Sequence, residues 1–330
     1  MNAHEERGAA RMDPEISAAL AALPPVDFVD PVARRASFER FRATLPPVPP
    51  DTRVVTQDHH VSRDDNSVLV VRSDRPAGVT GVLPVVMWFH GGGFVYGSVD
   101  FDDHYCAELA VRTNAVVFSP EYRLAPEHRF PAGVDDCYTA TCWAAERAHE
   151  VQSDGSRLAV PGGSAGGNLA AAVSLMARDR GGPRISFQAL LSAVLDTVIP
   201  HPYLRISDRA TMVVIPEDHE HMTRHYLGDQ TDDVSPYAMP ARSADLSGLP
   251  PAYVLACGLD YLRQSAVDYA VALDGAGVPV ELHLVPEVPH GFDGIAMHAP
   301  TSRSIIAEYT SAMARALSES GTSQGGAELA

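Results

Sequence analysis

The chain has 330 residues, 45% hydrophobic and 20% charged, a balance that supports a large buried core and argues against extensive disorder. Its net charge of -17 would repel a phosphate backbone, which makes nucleic acid a poor partner. All 25 basic residues are arginine, so chemistries that need a lysine ε-amine, such as a phosphate-loop lysine or a Schiff base, are excluded.

The four cysteines, Cys106, Cys137, Cys142 and Cys257, form no C-x-x-C pair and read as free thiols. The N-terminus lacks a cationic segment followed by a sustained apolar one, and no apolar run reaches membrane-spanning length. A cytoplasmic protein that neither binds nor spans a membrane is the expectation.

In chain order, Asp13-Pro14-Glu15 and Asp30-Pro31 each look like an N-cap followed by a first-turn proline, which predicts two short helices within 13–45. The proline-rich run 46–50 then acts as a stiff hinge. Arg53 to His59 and Ser67 to Arg72, parted by Asp64-Asp65-Asn66, read as a hairpin. From Val82 strands and helices alternate: strands at 82–89, 115–119, 157–160, 186–191, 252–256 and 280–285, and helices at 102–113, 133–148, 166–178, 262–275 and 302–316. This alternation predicts an α/β fold with a mostly parallel central sheet flanked by helices. An irregular region, 196–240, interrupts it, and a disordered tail is expected over 318–330, where Ser, Gly, Thr and Ala dominate.

Two glycine-rich motifs carry the chemistry. Gly162-Gly163-Ser164-Ala165-Gly166 follows the strand-like run Arg157 to Val160 and opens a small-residue helix, the strand-turn-helix context that lifts a serine hydroxyl out of the fold. Upstream, His90-Gly91-Gly92-Gly93-Phe94 follows an apolar run, leaving backbone N–H groups free to point outward. A serine hydroxyl needs a base within hydrogen-bond reach, and an imidazole titrates in the right range; the base in turn needs a carboxylate on its other nitrogen. His290 and Asp260, each just after an apolar run and both downstream of Ser164, fill these places. His298 is the reserve base, and Asp268 and Glu287 are the reserve acids. Taken singly, such residues are more often a turn serine, a helix-capping aspartate or a surface histidine; their order and context carry the reading.

With these residues on the page, the chain resembles the hormone-sensitive-lipase-like branch of the α/β-hydrolases, the bacterial family IV esterases. The resemblance covers about 85–295 and includes Tyr122-Arg123-Leu124-Ala125-Pro126-Glu127, Leu249-Pro250-Pro251, Gly258-Leu259-Asp260 and Pro289-His290-Gly291-Phe292. It implies a serine carboxylic ester hydrolase for short to medium acyl esters, acting on a small-molecule substrate without a cofactor or metal, with homodimers frequent among relatives. It further implies an oxyanion hole from the N–H groups of Gly92, Gly93 and Ala165. It also implies a helical cap from residues 1–50 and 196–240 over a catalytic core of 51–195 and 241–317. Amide or deacylase chemistry on the same triad, or a non-catalytic receptor on this fold, are the alternatives. Two positions depart from the family pattern: Gly163, commonly acidic or Thr, and Tyr261, usually Pro.

Three further expectations follow. His90 braces its loop by hydrogen bonds, and Arg123 and Glu127 fix another loop and could pair with each other. His221 and His225 share a helix face, but Met222 stands where a metalloprotease motif has Glu, so a cap helix is favoured over zinc. Phe94, Tyr96, Tyr203, Met212, Met222 and Tyr226 line an apolar acyl pocket or pack the cap.

Overall fold

The structure is a computed structural model and describes residues 12–23, 28–44, 49–199, 212–229 and 233–319. Runs of β-branched and apolar residues make an eight-stranded sheet: β1 (Val54–Ser62), β2 (Val68–Pro76), β3 (Leu83–Met87), β4 (Val116–Pro120), β5 (Ser153–Gly163), β6 (Phe187–Leu191), β7 (Ala252–Leu259) and β8 (Val280–Pro289). Their spatial order is β1-β2-β4-β3-β5-β6-β7-β8. The β1–β2 and β2–β4 pairs are antiparallel, and every other pair is parallel. Strands buried on both faces lose the polar alternation, and β3, β4 and β6 are buried at every position.

Helices cover both faces: α1 (Pro14–Ala22), α2 (Pro31–Thr44), α3 (Asp103–Thr113), α4 (Ala132–Arg147), α5 (Ala165–Arg180), α6 (Pro216–Leu227), α7 (Arg263–Gly275), α8 (Phe292–Ile295) and α9 (Pro300–Glu319). The two-residue period of the strands divides the core in two. Val85, Met87, Val254 and Ala256 pack on one side with α5, whereas Val86, Trp88, Leu255 and Cys257 pack on the other with α3 and α9.

The first two helices start where the sequence places them. The Asp13 carboxylate accepts Glu15 N–H at 3.0 Å and the Asp30 carboxylate accepts Ala33 N–H at 3.0 Å, each ahead of a proline already set for helix. Three boundaries differ from expectation. Strand β5 reaches back to Ser153 and forward through Gly163, because the elbow glycines keep pairing with Ala189 to Leu191 of β6. Inside the irregular region, the helix expected around His221 and His225 is α6, and its bounds are 216–227, with Pro216 in its first turn and the Asp218 carboxylate accepting Ile215 N–H at 3.1 Å. Of the tail expected to be disordered from Ser318, Ser318 and Glu319 instead belong to α9, with the Ser318 hydroxyl donating to Arg315 O at 2.7 Å, and the remainder lies outside the described residues. The four cysteines are free, Cys142 half-buried and the others buried. Among the described residues no helix is long and apolar enough to cross a membrane.

Candidate active site

Ser164, Asp260 and His290 each follow the last residue of a parallel strand: β5, β7 and β8. Parallel strands align their carboxyl ends, so three residues far apart in sequence meet at one edge of the sheet. Pairing of Leu259 with Pro289 brings the next residues, Asp260 and His290, side by side. His290 Nδ1 lies 2.8 Å from Asp260 Oδ2, and its Nε2 lies 2.9 Å from Ser164 Oγ. Because a carboxylate only accepts, Nδ1 carries the proton; Nε2 is then the acceptor for the serine hydroxyl. The other Asp260 oxygen accepts Leu262 N–H at 3.0 Å, which fixes the carboxylate at the entry to α7.

Ser164 sits at φ 57° and ψ −118°, in the left-handed region that a side chain rarely adopts. Its N–H donates to Leu191 O at 2.8 Å, and its own carbonyl accepts Val194 N–H at 3.2 Å, so β6 and the loop after it strap the turn in place. The turn also needs close approach: a Cβ on Gly166 would stand 1.9 Å from Phe89 O. The elbow therefore presses directly against the segment that leads into the glycine loop.

In that loop Gly92 has φ +116°, and a Cβ there would lie 2.0 Å from Tyr96 O. Its carbonyl accepts the N–H groups of Val95 and Tyr96, both at 3.1 Å, so the chain folds back, and the N–H groups of Gly92 and Gly93, which border the cavity, have no backbone partner among the described residues. Ala165, first residue of α5, adds one of the N–H groups that a helix start leaves unpaired. His90 braces the loop from below. It is fully buried, stacked on Tyr122 at 4.1 Å, and its Nδ1 donates to Gly91 O at 2.7 Å. Burial pushes its pKa down to about 4 against the smaller pull of that hydrogen bond, so the ring is neutral.

The electrostatics of His290 run the other way. Burial alone would lower its pKa, but the charge and hydrogen bond of Asp260, with the charge of Asp293, outweigh burial and hold it above the ordinary value of 6.5.

The comparisons with known proteins agree with this geometry. A family model described as the alpha/beta hydrolase fold matches residues 86–294. The chain belongs to this family, in its hormone-sensitive-lipase-like branch. Among curated relatives it is 41% identical over 234 residues to "Esterase LipI" of Mycobacterium tuberculosis, covering 68% of this chain and 72% of that one. It is 36% identical over 289 residues to "Carboxylesterase NlhH" of the same organism, covering 86% and 88%. The solved structure of a "Bacterial Heroin Esterase" superposes with a TM-score of 0.83 at 37% identity, over 93% of this chain and 98% of that one. This α/β-hydrolase is a carboxylesterase.

A cavity of about 1120 Å³ opens over Ser164 and His290. The glycine loop, Trp88 and Tyr96 border it, and residues of α1 and α2 with Val213, Val214 and Met222 line it as well. Of the pocket residues expected from sequence, Tyr96 and Met222 line it, and Tyr203 lies outside the described residues. Phe94 does not reach the cavity: it is 2% exposed and stacks on Tyr226 at 3.9 Å, because the chain turns back into the core after Gly93. Met212 stands off the cavity too, its place taken by Val213 and Val214. Arg123 and Glu127 do not pair with each other. Arg123 binds Asp136 at 2.8 Å, and Glu127 binds Arg35 at 2.8 Å, because each finds a closer opposite charge on a neighbouring element. His219 and His225 each reach a backbone carbonyl at 3.0 Å, of Asp196 and Phe28, and so tie α6 down. Of the reserve groups, Asp268 accepts from Gln264 at 2.7 Å on the surface of α7.

Sequence reasoning missed Phe28, Arg34, Phe38, Trp88 and Asp293 as cavity residues. For Asp293 a signal existed, its place three residues after His290. The others sit in segments that only tertiary packing brings over the serine.

Proposed function

We propose that the chain hydrolyses carboxylic esters through a covalent acyl-enzyme on Ser164. The observation that carries this reading is the continuous hydrogen-bonded line from Ser164 Oγ through His290 to Asp260, at 2.9 and 2.8 Å. Ser164 Oγ attacks the ester carbonyl while its proton passes to His290 Nε2, and Asp260 stays ionised and steadies the imidazolium. The carbonyl oxygen gains charge in the tetrahedral intermediate and takes hydrogen bonds from the N–H groups of Gly92, Gly93 and Ala165, each worth about 3 kcal/mol of barrier. The intermediate collapses as His290 returns the proton to the leaving alcohol. Water then attacks the acyl-enzyme with the same histidine as base, releasing the acid and restoring Ser164.

Residues 1–50 and 196–240 act as a cap, and 51–195 with 241–317 as the catalytic core. Short to medium acyl groups fit a cavity that must hold both halves of the ester. Across a series of aryl esters of rising acyl length, kcat/KM should peak among the shorter members. Replacing the nucleophile tests the mechanism: Ser164→Ala should abolish turnover of an activated aryl ester and leave the circular dichroism spectrum unchanged. Turnover retained by that folded variant would place the nucleophile elsewhere.

A further inference from the structure

Two adjacent arginines on α2 behave in opposite ways. Arg35 is fully used: its Nε donates to Val95 O at 2.6 Å, one Nη to Ala125 O at 2.7 Å, and the guanidinium forks onto the Glu127 carboxylate at 2.8 Å. That set already clamps the helix to the glycine loop and the 122–127 loop. Arg34 is 6% exposed and borders the catalytic cavity, yet its buried Nε and Nη1 have no hydrogen-bond partner among the described residues. Its guanidinium lies over the rings of Tyr96 and Phe38, at 4.7 and 5.5 Å to their centroids. Stacking occupies the faces of a guanidinium and leaves its edge, where the N–H donors point, unsatisfied. A buried cation with idle donors is costly unless something completes it.

The acids around the same cavity do not complete it, because each has a partner already. Asp100 and Asp103 hold Arg72 at 2.6 and 2.8 Å, Glu39 faces Arg42 at 3.6 Å, Asp102 accepts Trp88 Nε1–H at 2.6 Å, and Asp293 accepts the Tyr105 hydroxyl at 2.9 Å. Arg34 therefore offers donors that no lining carboxylate takes.

We propose that Arg34 is a specificity residue that receives a carboxylate carried by the substrate, so that this esterase favours esters with a second, free carboxylate over neutral ones. A planar carboxylate matches the planar guanidinium edge, and the aromatic faces of Tyr96 and Phe38 hold the fork in register. The inference rests on the reading of Ser164 as nucleophile, since the carboxylate is bound while the ester meets the elbow.

The test compares two anionic aryl esters with neutral isosteres: the 4-nitrophenyl monoester of glutaric acid against the 4-nitrophenyl ester of glutaramic acid, and 4-acetoxybenzoate against 4-acetoxybenzamide. The pairs put the carboxylate on the acyl and alcohol halves respectively. In at least one pair the wild type should prefer the anion tenfold or more in kcat/KM, mainly through KM. Arg34→Gln should lower the anionic value at least tenfold more than the neutral one, and Arg34→Lys should restore part of the preference. No preference in either pair, or equal losses on both members in Arg34→Gln, would overturn the proposal. Calorimetric binding of benzoate to the Ser164→Ala protein gives a reading independent of turnover and of Arg34 variants that fold poorly. Benzoate binding more tightly than benzamide supports the assignment, and equal binding contradicts it. Failure there leaves the nucleophile assignment intact, because that is read separately, from turnover by Ser164→Ala.

Discussion

At the scale of single residues the decisive balance is at His290, where burial disfavours the charged ring and two carboxylates favour it, Asp260 through contact and Asp293 through its field. In the proposed mechanism the base is the neutral imidazole, so protonation should remove activity, and a pKa held above 6.5 moves that loss to higher pH than a free imidazole would show. For a neutral aryl ester, kcat/KM should therefore fall on acidification with a midpoint above pH 6.5. A midpoint below that value would contradict the electrostatic balance, and a flat profile would contradict a histidine base altogether. The glycines around Ser164 give a second check, because the two flanking positions differ in space. A Cβ on Gly163 would meet only the Trp88 ring at 3.8 Å, and its φ lies outside the left-handed region, so Gly163→Ala should stabilise the protein by about 0.4–1 kcal/mol through loss of unfolded-state freedom. Gly166→Ala forces a carbon into Phe89 O and should cost about 1–3 kcal/mol. Urea unfolding of both variants reads the difference; equal effects would show that the elbow is not packed as described. The open space at Gly163 also explains how the departure from the family pattern is tolerated. Tyr261, the other departure, is buried and meets His219 of α6 edge to face at 5.4 Å, so it joins the strand end to the helix above.

Between elements, Asp136 of α4 is the hub that positions the glycine loop. Its carboxylate, 2% exposed, takes Arg63 beyond the end of β1 and both the side chain and the N–H of Arg123, at 2.8 to 2.9 Å. Next to Arg123, the Tyr122 hydroxyl donates to His90 O at 2.8 Å. Removing the carboxylate strands two guanidinium groups, one of them nearly buried, so Asp136→Ala should destabilise the protein by about 3 kcal/mol in urea unfolding. A loss below about 1 kcal/mol would mean that solvent already screens these charges. This network also shows where the sequence was opaque. The motif Tyr122 to Glu127 is visible in one dimension, but its partners Asp136 and Arg35 lie on separate helices and nothing local points to them. Element ends were hidden for a similar reason: Ser153 to Ser156 is too polar to read as strand, and Ser153 and Asp154 extend β5 by pairing with Leu83 and Pro84 of β3. Helix α6 was legible from His221 and His225 at helical spacing, but its bounds were not, although Pro216 gave a start signal.

Across the whole molecule, the parallel sheet is what turns sequence order into a site. Each of Ser164, Asp260 and His290 was legible because the residue types needed for acyl transfer stand directly after strand-like apolar runs, and parallel strands deliver their ends to one edge. The loop with Gly92 and Gly93 was legible on the same grounds. The walls of the cavity were not, because Phe28, Phe38 and Arg34 come from the N-terminal helices and reach the serine only through tertiary packing, and Phe94 reads as a pocket residue until the turn after Gly93 buries it. The central claim is that this arrangement activates one hydroxyl among all the serines of the chain. Labelling the native protein with a fluorophosphonate and mapping the adduct by peptide mass spectrometry tests it directly. One adduct on the peptide containing Ser164, with ester hydrolysis lost in proportion to labelling, is the expected result; an adduct on another residue, or hydrolysis persisting in fully labelled protein, would contradict it.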